Sequence, residues 1–227
     1  PFLVTLAILP SLIWLLFYLR KDAHPESNPM ILRVFFWGAL AAIPAVFIEL
    51  GFFELSLPSL VNIFIGVALV EEVLKYIVVE IRVFFLSTSE LDEPLDIQLY
   101  FVIAALGFAT LENLLIFLSP SVFGLRIGET LALAGFRFIS ATFLHALASG
   151  VLGFFIAWSY FESKNKKILV FLGFLIAVLL HGLYNWAIMT QEGYLKLAIP
   201  LTVIVFLAVF VSWGFNKLKK MASVCKV

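Results

Sequence analysis

Seven runs of mostly apolar residues, each about as long as a bilayer-crossing helix, constrain this chain more than anything else in it. A helix needs about 20 such residues to cross a hydrocarbon core of about 30 Å. The runs lie near 1–19, 33–53, 58–86, 99–119, 129–160, 168–190 and 197–217. The third and fifth are long enough to be tilted, kinked or begun by an interfacial stretch. The first opens on Pro1 and Phe2 rather than Met. It lacks a basic n-region and a small-residue cleavage site, so it reads as a spanning helix. Composition agrees, with 63% of the 227 residues hydrophobic and 13% charged. Soluble proteins carry about 45–50% apolar and about 25% charged residues, and no core of this size could bury the excess. The expected fold is all-α: a polytopic membrane bundle of about seven transmembrane helices. It forms a single transmembrane domain over 1–227, with its polar motifs in 58–190.

Several functions fall away at once. The 15 basic and 15 acidic residues balance, so no basic face offers itself to nucleic acid. The lone cysteine, Cys225, excludes an intrachain disulfide and a cysteine-based metal site. The longest break, Ser87–Gln98, carries Glu90, Asp92, Glu93, Pro94 and Asp96 and reads as a solvated acidic loop. Lys and Arg gather on one side. The first, third and fifth connections and the tail hold eleven, from Arg20 to Lys226, and the opposite side holds Arg126 and Lys196. The positive-inside rule then puts the N-terminus outside and the C-terminus in the cytoplasm.

An ionisable side chain at mid-bilayer costs at least about 2.5–3.5 kcal/mol, so it faces protein or water and commonly serves function. The third run carries Glu71, Glu72 and Lys75, the fourth Glu112, the fifth His145 and the sixth His181. From the cytoplasmic end of their runs, Glu72, Glu112, His145 and His181 lie 13–15 residues in. That is roughly 20 Å at about 1.5 Å per residue. Four helices therefore bring proton-carrying groups to one depth. Lys75 stands three and four residues from Glu72 and Glu71 and can reach a carboxylate on its own helix. His181 and Asn185 share a face, as do His145 and Ser149. Glu71 and Glu72 point about 100° apart. One should face a cavity while Lys75 or a neighbouring helix holds the other. Arg137 and Glu49, in the outer parts of their runs, are candidates to pair with each other.

Glu71-Glu72-Val73-Leu74-Lys75, Gly107-Phe108-Ala109-Thr110-Leu111-Glu112-Asn113, Arg137 ahead of His145-Ala146-Leu147-Ala148-Ser149-Gly150, and His181-Gly182-Leu183-Tyr184-Asn185 together resemble the PrsW family. These are intramembrane proteases related to the CAAX-prenyl protease and bacteriocin-processing superfamily. CAAX-type members usually have His where Glu112 stands and Arg where Lys75 stands, and both departures match the PrsW branch. The resemblance implies an intramembrane endopeptidase acting on a membrane-anchored regulatory protein of the anti-sigma type, in contact with membrane lipids. It implies that Glu112 and the first-motif glutamate hold the nucleophilic water and that His181 and Asn185 face the oxyanion. Asn113 and Arg137 stand beside them as supporting residues.

Peptide hydrolysis needs a water, a base and oxyanion stabilisation. Glu71 or Glu72 is the candidate base, with Lys75 keeping its neighbour ionised. Two versions stand: a site without cofactor, and a catalytic zinc held by Glu112, His145 and His181, a His₂Glu set. Other intramembrane plans lack their residues. No His is followed by Glu, so there is no HExxH. Every Asp lies in a connection, which leaves no intramembrane aspartate pair. A Ser149–His181 dyad lacks the leading Gly of a GxSG pattern and leaves three glutamates without a role. The alternative from another class is a proton- or cation-coupled transporter, for which midplane Glu, His and Lys also serve.

Overall fold

Helix α5 (Pro94–Phe117) is the axis of the molecule, and its sequence says why: from Pro94 to Thr110 every residue is buried. A helix surrounded on all sides has no polar face to show. The computed structural model describes residues 1–22, 24–87, 91–161 and 164–221. Glu90 of the acidic connection, and Cys225 and Lys226 of the tail, lie outside the described residues. Around α5 pack α1 (Phe2–Leu19), α2 (Asn28–Glu54) and α8 (Ala141–Phe161), with α9 (Lys166–Thr190) and α10 (Leu195–Leu218) closing the bundle against α8. No strand occurs among the described residues. Two glycines let α2 and α5 touch backbone to backbone. A Cβ on Gly107 would stand 2.0 Å from the Phe35 carbonyl oxygen, and one on Gly38 would stand 2.2 Å from that of Ala104. Small residues at such crossings drive helix association in bilayers.

Six helical stretches are long and apolar enough to cross a membrane: Phe2–Leu19, Asn28–Glu54, Pro94–Phe117, Ile127–Phe161, Lys166–Thr190 and Leu195–Leu218. The expected run at 58–86 is helical too, but as four consecutive pieces. These are α3 (Ser59–Val61), a π-helical stretch Asn62–Leu69, α4 (Val70–Val79) and a second π-helical stretch Glu80–Phe85. Backbone dihedrals stay right-handed helical at each junction, so 59–85 is one rod, roughly 40 Å long. π-Helical turns are rare and gather at functional sites. Here they bracket the turn that bears Glu71, Glu72 and Lys75.

Two other boundaries depart from expectation for local reasons. Helix α5 starts at Pro94, so Asp96 belongs to its first turn rather than to a loop. The Asp96 carboxylate accepts the Glu93 backbone N–H at 2.6 Å as part of a capping box. The run at 129–160 breaks at Ser140, where ψ is −83°, into α7 (Ile127–Ile139) and α8. The short α6 (Pro120–Phe123) precedes α7. The break frees the Phe138 carbonyl, and Trp14 of α1 donates its indole N–H to it at 2.9 Å. Trp14 also stacks on Phe143, just past the break, with ring centroids 3.8 Å apart.

Candidate active site

The rod brings Glu71, Glu72 and Lys75 into the bundle at successive angles, and their surroundings separate the two carboxylates. Glu72 is fully buried. Its Oε1 accepts from Lys75 Nζ at 2.8 Å and from His181 Nδ1 at 2.9 Å, and its Oε2 accepts from Ser149 Oγ at 2.6 Å. Three donors from three helices saturate it. Glu71 has Lys75 Nζ at 3.3 Å, His145 Nδ1 at 3.4 Å and His181 Nε2 at 3.8 Å, and it lies on a cavity wall.

Lys75 is the hub. Its ammonium reaches both carboxylates, His145 Nδ1 at 2.9 Å and the Phe108 ring face at 4.6 Å. On its far side His145 Nε2 lies 2.7 Å from Glu112 Oε2. Arg137 of α7 pairs with Glu112 at 3.2 Å, and its Nε donates to Asn113 Oδ1 at 2.6 Å. Asn113 donates in turn to Thr142 Oγ1 at 3.0 Å. The expected Arg137–Glu49 pair is therefore not what forms, because Glu112 of α5 lies nearer the guanidinium. Glu49 lines the same cavity instead.

That cavity has a volume of about 370 Å³. Glu49, Glu71, Glu112, Arg137, His145, His181, Tyr184 and Asn185 supply its polar and aromatic wall, while Val67, Leu144, Ile188 and Met189 are among its apolar lining. Its residues come from α2, the rod, α5, α7, α8 and α9, in the parts of those helices nearer the 55–58, 118–126 and 191–194 connections. So Glu71, Glu112, His145, His181 and Asn185 share one cavity, and Glu72 and Lys75 stand directly behind its wall. Ser149 takes a part that spacing alone did not assign it. It shares a helical face with His145, which was legible, but its partner Glu72 comes from a distant stretch of chain. Glu49 also reaches the cavity without a motif to announce it, and Tyr184 joins it from inside the fourth motif, where the sequence had given it no role.

Three donors lie close enough to hold a metal ion, Glu71, His145 and His181, with one ligand atom from each within 4.8 Å of the others. Glu71 stands in this set where sequence reasoning put Glu112, whose carboxylate is engaged by Arg137 and His145.

A multi-pass helical membrane bundle with a buried Glu/His/Lys cluster on a polar cavity has the groups that hydrolysis within a membrane needs. Residues 26–213 match the PrsW family intramembrane metalloprotease family, and the chain belongs to that family. It is 32% identical over 183 residues to Protease PrsW of Geobacillus kaustophilus, covering 78% of this chain and 75% of that protein. Protease PrsW of Shouchella clausii is 29% identical over 95% of this chain and 96% of its own length. That of Bacillus subtilis is 28% identical over 92% and 89%. No solved structure matches. The protein is thus an intramembrane protease, and the transporter alternative is set aside.

Proposed function

We propose that the cavity hydrolyses a peptide bond in a membrane-anchored regulatory protein, an anti-sigma-type factor being the substrate class that the family resemblance implies. Glu71 is the base. It takes a proton from a water held between it and Glu112 and returns that proton to the leaving amine. Asn185 offers its amide to the developing oxyanion. His181, held by Glu72 at Nδ1, faces the developing oxyanion beside it. Lys75 positions both glutamates, and Arg137, itself held by Asn113, pairs with Glu112 and keeps it in place. The N-terminus lies outside and the C-terminus in the cytoplasm.

One observation carries the reading. Of two adjacent glutamates, Glu72 is saturated by donors while Glu71 stands on the cavity wall, which divides the work between an anchor and a base. The test reconstitutes the protein with a single-pass substrate in liposomes and follows cleavage by Glu71→Gln. Loss of cleavage with an unchanged unfolding temperature is expected; a fully active Glu71→Gln protein ends the assignment.

A further inference from the structure

The family's description as metalloproteases asks whether this donor set suits a metal ion. Distances raise no objection. Tetrahedral zinc with bonds near 2.1 Å places its ligand atoms about 3.4 Å apart. Glu71 Oε2 lies 3.4 Å from His145 Nδ1 and 3.8 Å from His181 Nε2. Hydrogen bonding does object. An imidazole nitrogen has one in-plane lone pair, and an ammonium can only donate. Lys75 Nζ, 2.9 Å from His145 Nδ1, therefore uses the lone pair through which His145 would bind a metal. The other ring nitrogen carries the proton and gives it to Glu112 Oε2 at 2.7 Å. The same ammonium lies 3.3 Å from Glu71 Oε2, the second donor of the set. A divalent ion placed there would also face a fixed positive charge one contact away, in surroundings that screen it poorly. Lys75 has no exit to water, being fully buried beneath the Phe108 ring.

We propose that Lys75 is the resident cation of this site: its ammonium engages two of the three donors a metal ion would need, and lysine and metal exclude each other. This deepens the proteolytic reading above and rests on it for the site's role, but not for the geometry. The residues present do not fit a bound metal while Lys75 is in place. Lys75 supplies the positive charge that holds two carboxylates in one apolar cavity, and it fixes the His145 tautomer.

The experiment measures metal and cleavage separately. Wild-type protein, purified in detergent without chelator, should carry far less than one zinc per chain by elemental analysis, and cleavage of a single-pass substrate should survive exhaustive chelation. Two variants then open the donor set. Lys75→Met removes the ammonium. Glu72→Gln/Lys75→Met also neutralises the fully buried partner of Lys75, so that Glu71 is the one carboxylate of the two left to meet the metal ion. Cobalt(II) titration should give the visible bands of a tetrahedral site in the variants and not in wild type, with zinc content rising several-fold. One zinc per wild-type chain, lost together with activity on chelation and restored with it, overturns the proposal. So does failure of both variants, still showing a cooperative thermal transition, to take up cobalt. Should metal content behave as expected while no substrate is cut, Lys75 keeps this place and the proteolytic reading of the site fails instead.

Discussion

Glu71 and Glu72 are neighbours in the chain with the same side chain, and the difference between them is entirely one of partners. Replacing Glu72 by Gln removes the negative charge from the fully buried pair with Lys75. It also puts an amide N–H₂ where one oxygen had accepted from its donors, Lys75 and His181 on one side or Ser149 on the other. Breaking a buried pair in this way typically costs about 3–5 kcal/mol. Glu72→Gln should therefore lose both cleavage and thermal stability. Glu71→Gln should lose cleavage alone, by the roughly 10²–10⁴-fold that a general base contributes. Ser149→Ala removes one bond to a charged acceptor, worth about 1.5–3 kcal/mol, and should fall between. Differential scanning fluorimetry beside a cleavage assay separates the three; equal stability of the two Gln variants would remove the distinction between anchor and base. Outside the membrane, Glu26 offers a second residue-scale test. Burial pushes its carboxyl up from 4.5 to about 7, against the hydrogen bond that Tyr100 donates, with Asp22 and Asp92 adding repulsion. Between those two values the folded chain holds on Glu26 a proton that the unfolded chain has lost, so the contribution of Glu26 to stability falls as pH rises from about 4.5 to about 7 and is constant above. Glu26→Gln should flatten that part of the unfolding-temperature profile, and an unchanged slope would show that Glu26 is not its source.

At the scale of elements, the α2–α5 crossing is the most sharply defined joint in the bundle. Gly107→Ala or Gly38→Ala forces a methyl into a backbone carbonyl that cannot swing aside, and overpacking of this sort costs about 1–3 kcal/mol or more. Gly51, on the same α2, has nothing within 4 Å of the position a Cβ would take. Gly51→Ala is the control. Unfolding in detergent should shift down for the first two and not for the third; equal shifts would mean the close approach is not structural. The same elements show what a sequence reveals of such a protein. The apolar runs fell close to the helices because crossing a bilayer sets their length, and the shared depth of Glu72, Glu112, His145 and His181 was legible because each helix repeats at a known rise. Which carboxylate faces the cavity was not legible, since adjacent residues differ by an angle whose zero is set only when the rod packs against α2, α5 and α9. Nor could spacing show the break at Ser140. It depends on Trp14, more than a hundred residues away, accepting the burden of the freed carbonyl. Arg137 likewise found its partner on α5 rather than α2 because partner choice is a tertiary matter.

For the whole molecule the open quantity is parity. Six helical stretches qualify as spans by length and apolarity alone, and the rod at 59–85 is the stretch whose crossing decides between six and seven. If the rod crosses, Lys and Arg divide eleven against two between the faces. If it does not, every connection after it changes sides and the division falls to eight against five. The positive-inside rule favours the first arrangement. The site favours it as well. Glu72 and Lys75 of the rod have no exposed surface and bond to side chains of α8 and α9, so the rod's middle lies among spanning helices at the depth of His145 and His181. Seven crossings put the two termini on opposite faces, and they put the cavity's nearest connections, 55–58, 118–126 and 191–194, on the face away from the basic tail. Single cysteines at Leu55, Glu192 and Lys164 test this with a membrane-impermeant maleimide on intact cells. The first two should label from outside and the third only after permeabilisation, while an N-terminal tag is reached from outside and a C-terminal tag is not. Labelling of Lys164→Cys together with Leu55→Cys, or both tags on one side, would mean an even number of crossings. The rod would then have to enter and leave by the same face while still delivering Lys75 to the centre of the bundle.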